Sequence, residues 1–123
     1  MEDMRASPAM TRFLLDTLAL DKPLGSVCHG PTAFLSPRDA AGQSSFAGYR
    51  MTCFSHVEEF ATRINGRLPI VLQIELERLG VRYSKSPVVW GSHVVVDRNL
   101  VTGQNPYSSE AVGRAFVELL AKR

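Results

Sequence analysis

Apolar and polar positions alternate along the chain in a way that predicts mixed helix and strand. Ser7 reads as a helix N-cap with Pro8 at the first helical position. Met10, Phe13, Leu14, Thr17 and Leu18 then share one helical face. Asp21-Lys22-Pro23 stops that helix, and the run to Val27 reads as a short buried strand. A short helix follows Cys28 to about Leu35, where Ser36-Pro37-Arg38-Asp39 breaks it. Residues 40–48 are polar and contain glycine, which predicts a loop. Tyr49 to Phe54 alternates and predicts a strand.

Ser55-His56-Val57-Glu58 has capping-box spacing, so a helix is expected to about Ile64, ended by Asn65-Gly66. Leu68 to Leu79 predicts another helix, with Pro69 in its first turn and Gly80 just past its end. Val81-Arg82-Tyr83 is a short strand, and Ser86-Pro87 opens a loop containing Trp90. Val94–Val96 and Leu100–Thr102 form a hairpin around Asp97-Arg98-Asn99. Asn105-Pro106 starts the last helix, whose stripe is Ala111, Val112, Ala115, Phe116, Leu119 and Leu120. This order of elements is α/β. One helix precedes the first strand, so strands are expected on only part of a parallel sheet.

Composition adds limits. With 123 residues, 45% of them hydrophobic, residues 1–123 form a single domain with one core. The net charge is +2 with signs interspersed, and no basic block tracks phosphates, so no nucleic-acid partner is expected. No apolar run is long enough to span a bilayer, and the charged start lacks a signal-peptide core, so no membrane partner is expected. Two cysteines without a secretory signal suggest free thiols in a reducing cytoplasm.

The candidate chemistry centres on Cys28. Ser26 and Gly30 flank it at two positions on each side, between a strand and a helix. This is a nucleophile elbow with sulfur in place of oxygen. A thiol at a helix N-terminus gains from the dipole and from free backbone donors, both of which favour thiolate. The plainer reading is a buried Cys in an ordinary strand-to-helix turn. His29 reads equally as a helix-start residue bonded to backbone, Glu59 as a solvated helix residue, and Cys53 as a small core residue. Trp90 and Phe54 read as core or loop anchors. Cys28, His29, Cys53 and His56 match no standard zinc spacing, so no metal is expected.

Several segments together carry a family resemblance. They are Val27-Cys28-His29-Gly30-Pro31, Thr52-Cys53-Phe54-Ser55-His56-Val57-Glu58-Glu59, Leu68-Pro69, and Val94 through Pro106 with Ser108-Ser109 behind. In this order and spacing the chain resembles the C-terminal half of the ThiJ/PfpI superfamily, in its glyoxalase III and heat-shock chaperone branch. The resemblance implies a partial flavodoxin-like, class I glutamine amidotransferase-like three-layer sandwich lacking the N-terminal strands. It implies Cys28 as nucleophile, His29 as its catalytic neighbour, and Glu59 as the acid that orients His29. Glu58 is the second choice, because a capping box would occupy it. Gly30 belongs to the elbow, and the His29 N–H is a plausible oxyanion donor. The activity implied is cofactor-free conversion of methylglyoxal, or a similar small aldehyde, to D-lactate.

The family's proton-shuttling Glu and Gly-Gly-His-Gly segment lie in its N-terminal half and have no match here. The chain is therefore expected to be truncated or one piece of an assembly, with doubtful turnover and a tendency to form homo-oligomers. Cys53 replaces a usual glycine, and Arg98 replaces the glycine of an Asp-Gly-Asn turn. Two classes stay open: a Cys-dependent enzyme, and a non-catalytic chaperone-like or pseudoenzyme member.

Overall fold

A computed structural model describes residues 1–64 and 66–123. The Asn65 half of the predicted Asn65-Gly66 helix stop lies outside the described residues. Two helices open the chain, α1 (Glu2–Ala6) and α2 (Pro8–Ala19). Ser7 caps α2 as the sequence predicts, its hydroxyl accepting from the Met10 N–H at 3.2 Å. Helix α1 is not predicted by the pattern, because its five residues carry no apolar stripe and only Met4 packs partly against the core. The α2 stripe is only partly used. Leu14 and Thr17 are buried, but Phe13 stays exposed.

Strand β1 (Leu24–Val27) leads to Cys28, and a 3₁₀ turn, not an α-helix, covers Gly30–Leu35. The predicted Tyr49–Phe54 strand contracts to β2 (Arg50–Met51). Beyond Met51 the chain leaves the ladder. Thr52 N–H donates to the Thr102 hydroxyl at 2.9 Å, and Phe54 N–H to the Cys28 carbonyl at 2.9 Å. Helix α3 (His56–Ala61) ends one turn earlier than expected. Helix α4 spans Leu72–Arg78, so Pro69 precedes it instead of lying in its first turn. Arg67-Leu68 offers no capping oxygen there, and the N-cap is Val71, which also has none. Gly80 follows α4 at φ 87°, the left-handed conformation that glycine reaches without strain.

Strand β3 (Arg82–Tyr83) pairs in parallel with β2. β4 (Val94–Asp97) and β5 (Leu100–Gly103) form the predicted hairpin, with a two-residue turn instead of three. Arg98 takes φ 55° in that turn. Its guanidinium lies 3.8 Å from the Tyr49 ring centroid and donates to the Gly48 carbonyl at 3.2 Å, which offsets the strain. The main sheet runs β1-β5-β4, with β1 parallel to β5 and β4 antiparallel. The elbow strand and the hairpin therefore share one sheet. A 3₁₀ turn at Pro106–Ser108 precedes α5 (Ser109–Ala121).

Helix α5 lies against β1 and β5. Gly25 and Gly103 make this approach possible. A Cβ on Gly103 would run into the Val112 side chain and sit 3.0 Å from both the Ser108 and Val27 side chains. The core gathers elsewhere, around Leu14, Leu24, Phe34, Phe46, Met51, Leu72, Leu76 and Leu100, where α2, α4 and the 3₁₀ segment meet the sheet. Phe34 stacks on Phe46 at 4.3 Å. No described helix is long and apolar enough to cross a membrane.

Candidate active site

The chain turns sharply as β1 ends. Cys28 is held at φ 61°, a left-handed conformation that costs a non-glycine residue about 1–3 kcal/mol. Two backbone bonds hold it there. Its N–H donates to the Gly103 carbonyl at 2.9 Å, and its carbonyl accepts from Phe54 N–H. Ser26 and Gly30 explain each other across the turn, since a Cβ on Gly30 would collide with the Ser26 hydroxyl. Small residues at both positions let the thiol stand half-buried between strand and 3₁₀ turn.

His29 follows directly. Cys28 Sγ lies 3.4 Å from His29 Nδ1, and His29 Nε2 lies 3.2 Å from Glu59 Oε1. When Nε2–H donates to the carboxylate, Nδ1 is left as the acceptor for the thiol proton. Glu59 is 1% exposed and sits in the first turn of α3, which aims its side chain at His29. Three residues named from the sequence thus form one line of contacts, and the fourth, Gly30, shapes the turn beneath them.

Glu58 is elsewhere. It closes the capping box, taking the Ser55 N–H at 3.0 Å and the Ser55 hydroxyl at 2.8 Å. Its other oxygen accepts from Trp90 N–H, Gln104 Nε2 and Asn105 Nδ2, at 3.3, 3.0 and 2.7 Å. Burial pushes this carboxyl up, but the donors from Ser55, Asn105 and Gln104 outweigh it and hold it below the usual range. Gln104-Asn105 therefore serves a buried carboxylate. Asn105 Nδ2 also reaches the Gly91 carbonyl at 2.8 Å, and Ser86 N–H donates to Gln104 Oε1 at 2.8 Å, so the loop carrying Trp90 is tied to the same point.

The sequence reading missed an aromatic row that this loop completes. His29 lies 4.6 Å from Phe54, Phe54 5.6 Å from Trp90, and Trp90 6.4 Å from Tyr107, ring centre to ring centre. Residues so far apart in sequence leave no periodic signal.

The expected thiolate is not favoured. Burial pushes the Cys28 thiol up, the charges of Glu58 and Glu59 add to that, and the backbone N–H of His29 opposes it. The dipole argument loses because the helix after the elbow is one short 3₁₀ segment with few aligned peptides. Cys53 is fully buried, with its thiol pushed well up, first by burial and then by Glu59. His56 is exposed at the start of α3. Among the described residues, no three His, Cys, Asp or Glu side chains are grouped to hold a metal.

An α/β sheet presents a strained cysteine here, with a histidine and a carboxylate in line behind it. Comparison with known proteins narrows this. No family model matches the chain. It is 32% identical over 104 residues to a probable glutathione-independent glyoxalase of Schizosaccharomyces pombe, covering 79% of this chain and 40% of that protein. It is 32% identical over 106 residues to the protein/nucleic acid deglycase HchA of Escherichia coli, covering 82% of this chain and 36% of that one. The solved Rapid Encystment Protein of Francisella tularensis superposes with TM-score 0.92 at 29% identity, over 96% of this chain and 52% of that one. The chain belongs to the ThiJ/PfpI superfamily. It spans 40% or less of these two curated relatives' length.

Proposed function

We propose that this chain carries the thiol side of a site acting on small reactive carbonyl compounds, with Cys28 as nucleophile, His29 as its base and Glu59 as the group that orients His29. The carrying observation is the line from Cys28 Sγ through His29 to Glu59, at 3.4 and 3.2 Å, behind a cysteine held at φ 61°. The names of the glyoxalase and deglycase relatives support the same class.

The substrate proposed is a 2-oxoaldehyde such as methylglyoxal. Cys28 sulfur bonds to the aldehyde carbon while its proton passes to His29 Nδ1, and the new alkoxide takes a proton to give a hemithioacetal. The backbone N–H of His29 is the donor proposed for that alkoxide. Lactate then requires removal of the aldehyde-derived C–H proton and its return to the neighbouring carbon, followed by thioester hydrolysis. The two carboxylates whose charge bears on Cys28 are both engaged, Glu59 with His29 and Glu58 with its ring of donors. Lack of a free acid–base group costs about 10²–10⁴-fold. The 123-residue chain by itself is therefore expected to form the adduct and turn it over slowly.

The test follows Cys28 with iodoacetamide and mass spectrometry, and assays D-lactate in parallel. Methylglyoxal should slow alkylation of Cys28, and His29→Ala should weaken that protection. Alkylation indifferent to methylglyoxal would remove the proposal. Rapid D-lactate production abolished by Cys28→Ser would keep the nucleophile but reassign the proton shuttle to Glu58 or Glu59. A second reading, a non-catalytic member of the superfamily, draws on the half-buried thiol standing beside two carboxylates that are both engaged, where burial pushes it up. That reading requires Cys28→Ser to change nothing in carbonyl binding.

A further inference from the structure

Strands β2 and β3 place two like charges side by side. Arg50 and Arg82 are direct partners in the parallel register, so both side chains leave the same face of this two-stranded sheet. Adjacent like charges on one sheet face are destabilising. Nothing acidic compensates them. Among the described residues neither guanidinium makes a salt bridge. Arg50 reaches only the Val96 carbonyl, at 3.4 Å. Asp97, whose carboxylate meets the Arg50 backbone, is used otherwise. It accepts the Arg50 backbone N–H at 2.8 Å and lies 3.7 Å from the Arg98 guanidinium.

Both arginines line one open cavity, together with Ser84 and the edge of β4 at Val94, Val95 and Val96. Ser84 follows β3 directly, and its hydroxyl sits 2.9 Å from His93 Nε2, so it is free to donate when Nε2 carries the proton of that contact. None of the lining residues belongs to the Cys28–His29–Glu59 line. β4 has β5 on one side only, so its outer edge faces this cavity with no strand partner among the described residues.

We propose that this cavity is a binding site for a phosphate group, clamped between the Arg50 and Arg82 guanidiniums with the Ser84 hydroxyl as a further donor. Two forked cations call for a ligand of about two negative charges with several oxygens. A lone carboxylate carries one charge and two oxygens and would leave one arginine uncompensated. Val94–Val96 bring the edge of β4 into the lining, with Val94 and Val96 on one face and Val95 on the other. An organic group on the phosphate would lie along this edge, whereas inorganic phosphate would use the arginines and Ser84 alone.

The test is calorimetry on the 123-residue chain with inorganic phosphate and with phenyl phosphate, at ionic strength matched by sodium chloride. One equivalent should bind. Arg50→Gln and Arg82→Gln should each weaken it by roughly tenfold or more, since a hydrogen bond to a charged group is lost. Arg82→Lys should fall between. Thermal melts give an independent sign. Without phosphate, each glutamine variant should be at least as stable as the wild type, because the repulsion is relieved. Phosphate should raise the wild-type midpoint more than that of either variant at the same concentration. Tighter binding of phenyl phosphate would assign the site to a monoester, and equal or tighter binding of inorganic phosphate to the free ion. Binding unchanged in both glutamine variants, or reproduced by chloride alone, would overturn the proposal. Neither outcome bears on Cys28 chemistry.

Discussion

Ser26 and Gly30 make the elbow a pair property. A Cβ on Gly30 meets the Ser26 hydroxyl but remains 3.7 Å from the Ser26 Cβ, an ordinary contact. Gly30→Ala alone should therefore push Ser26 Oγ out of its rotamer and destabilise the chain by about 0.5–1.5 kcal/mol. Ser26→Ala removes the obstructing oxygen, so the double variant should recover most of that loss. Thermal or urea melts of the four proteins give the coupling. Additive losses would mean the two residues do not meet. The presence of small residues here was legible in sequence, while Glu59 beside His29 came with the family resemblance and the capping box set Glu58 second. The capping-box spacing committed Glu58 to Ser55, and α3 then turned the next side chain toward the site. The state of the thiol was not legible, because burial and the nearness of two carboxylates come from tertiary packing.

At the level of elements, local signals survived where the chain satisfies its own backbone. The Ser7 cap, the Ser55 capping box and the β4–β5 hairpin all carry their partners within a few residues. Elements that depend on distant partners shifted. β2 ends where Thr52 and Phe54 bond to the Thr102 hydroxyl and the Cys28 carbonyl, which no local pattern announces. Glu58 shows how far such a partnership extends, since α3, the Trp90 loop and the end of β5 meet on it. Its carboxyl is held below the usual range in the folded chain, so its contribution to stability is present above the unfolded value. That contribution is lost as pH falls through the depressed one. Denaturant titrations should show stability falling on the acid side of about 4.5, the unfolded value, and Glu58→Gln should flatten that limb while lowering stability at neutral pH. An acid limb unchanged in Glu58→Gln would assign it to other carboxylates. Trp90, the sole tryptophan, reports the loop directly. Its emission should move to longer wavelength in Glu58→Gln. The α5 interface is equally specific. Gly103→Ala should cost about 1–3 kcal/mol by pushing on Val112 and Ser108. Gly25→Ala should cost less, because it meets only the edge of the Phe116 ring, at 3.2 Å.

The whole molecule leaves apolar and backbone groups without cover. A parallel strand is ordinarily buried on both faces. Here Gly25 is exposed, Ser26 and Val27 are half-buried, and β5 is the only described neighbour of β1. Leu24 N–H and Cys28 N–H both bond toward the β5 side, to the Asn99 and Gly103 carbonyls. By the two-residue period of a strand, the Gly25 and Val27 N–H groups point to the open side. Such an edge invites a further strand. Phe13 on α2, Leu20 just past its end, and Val117 and Leu120 on α5 are exposed as well. They supply apolar area that water would otherwise solvate. The 123-residue chain studied alone is therefore expected to self-associate through β1, with a mass that rises with concentration in light scattering. Hydrogen exchange separates this route from simple sticking of the helices. Strand addition should slow exchange at Gly25 and Val27 as the chain is concentrated, whereas association through α2 or α5 would leave those two amides fast. Val117→Lys with Leu120→Lys should change the mass profile little. A chain that stays monomeric and melts cooperatively at high concentration would show that this edge is already satisfied.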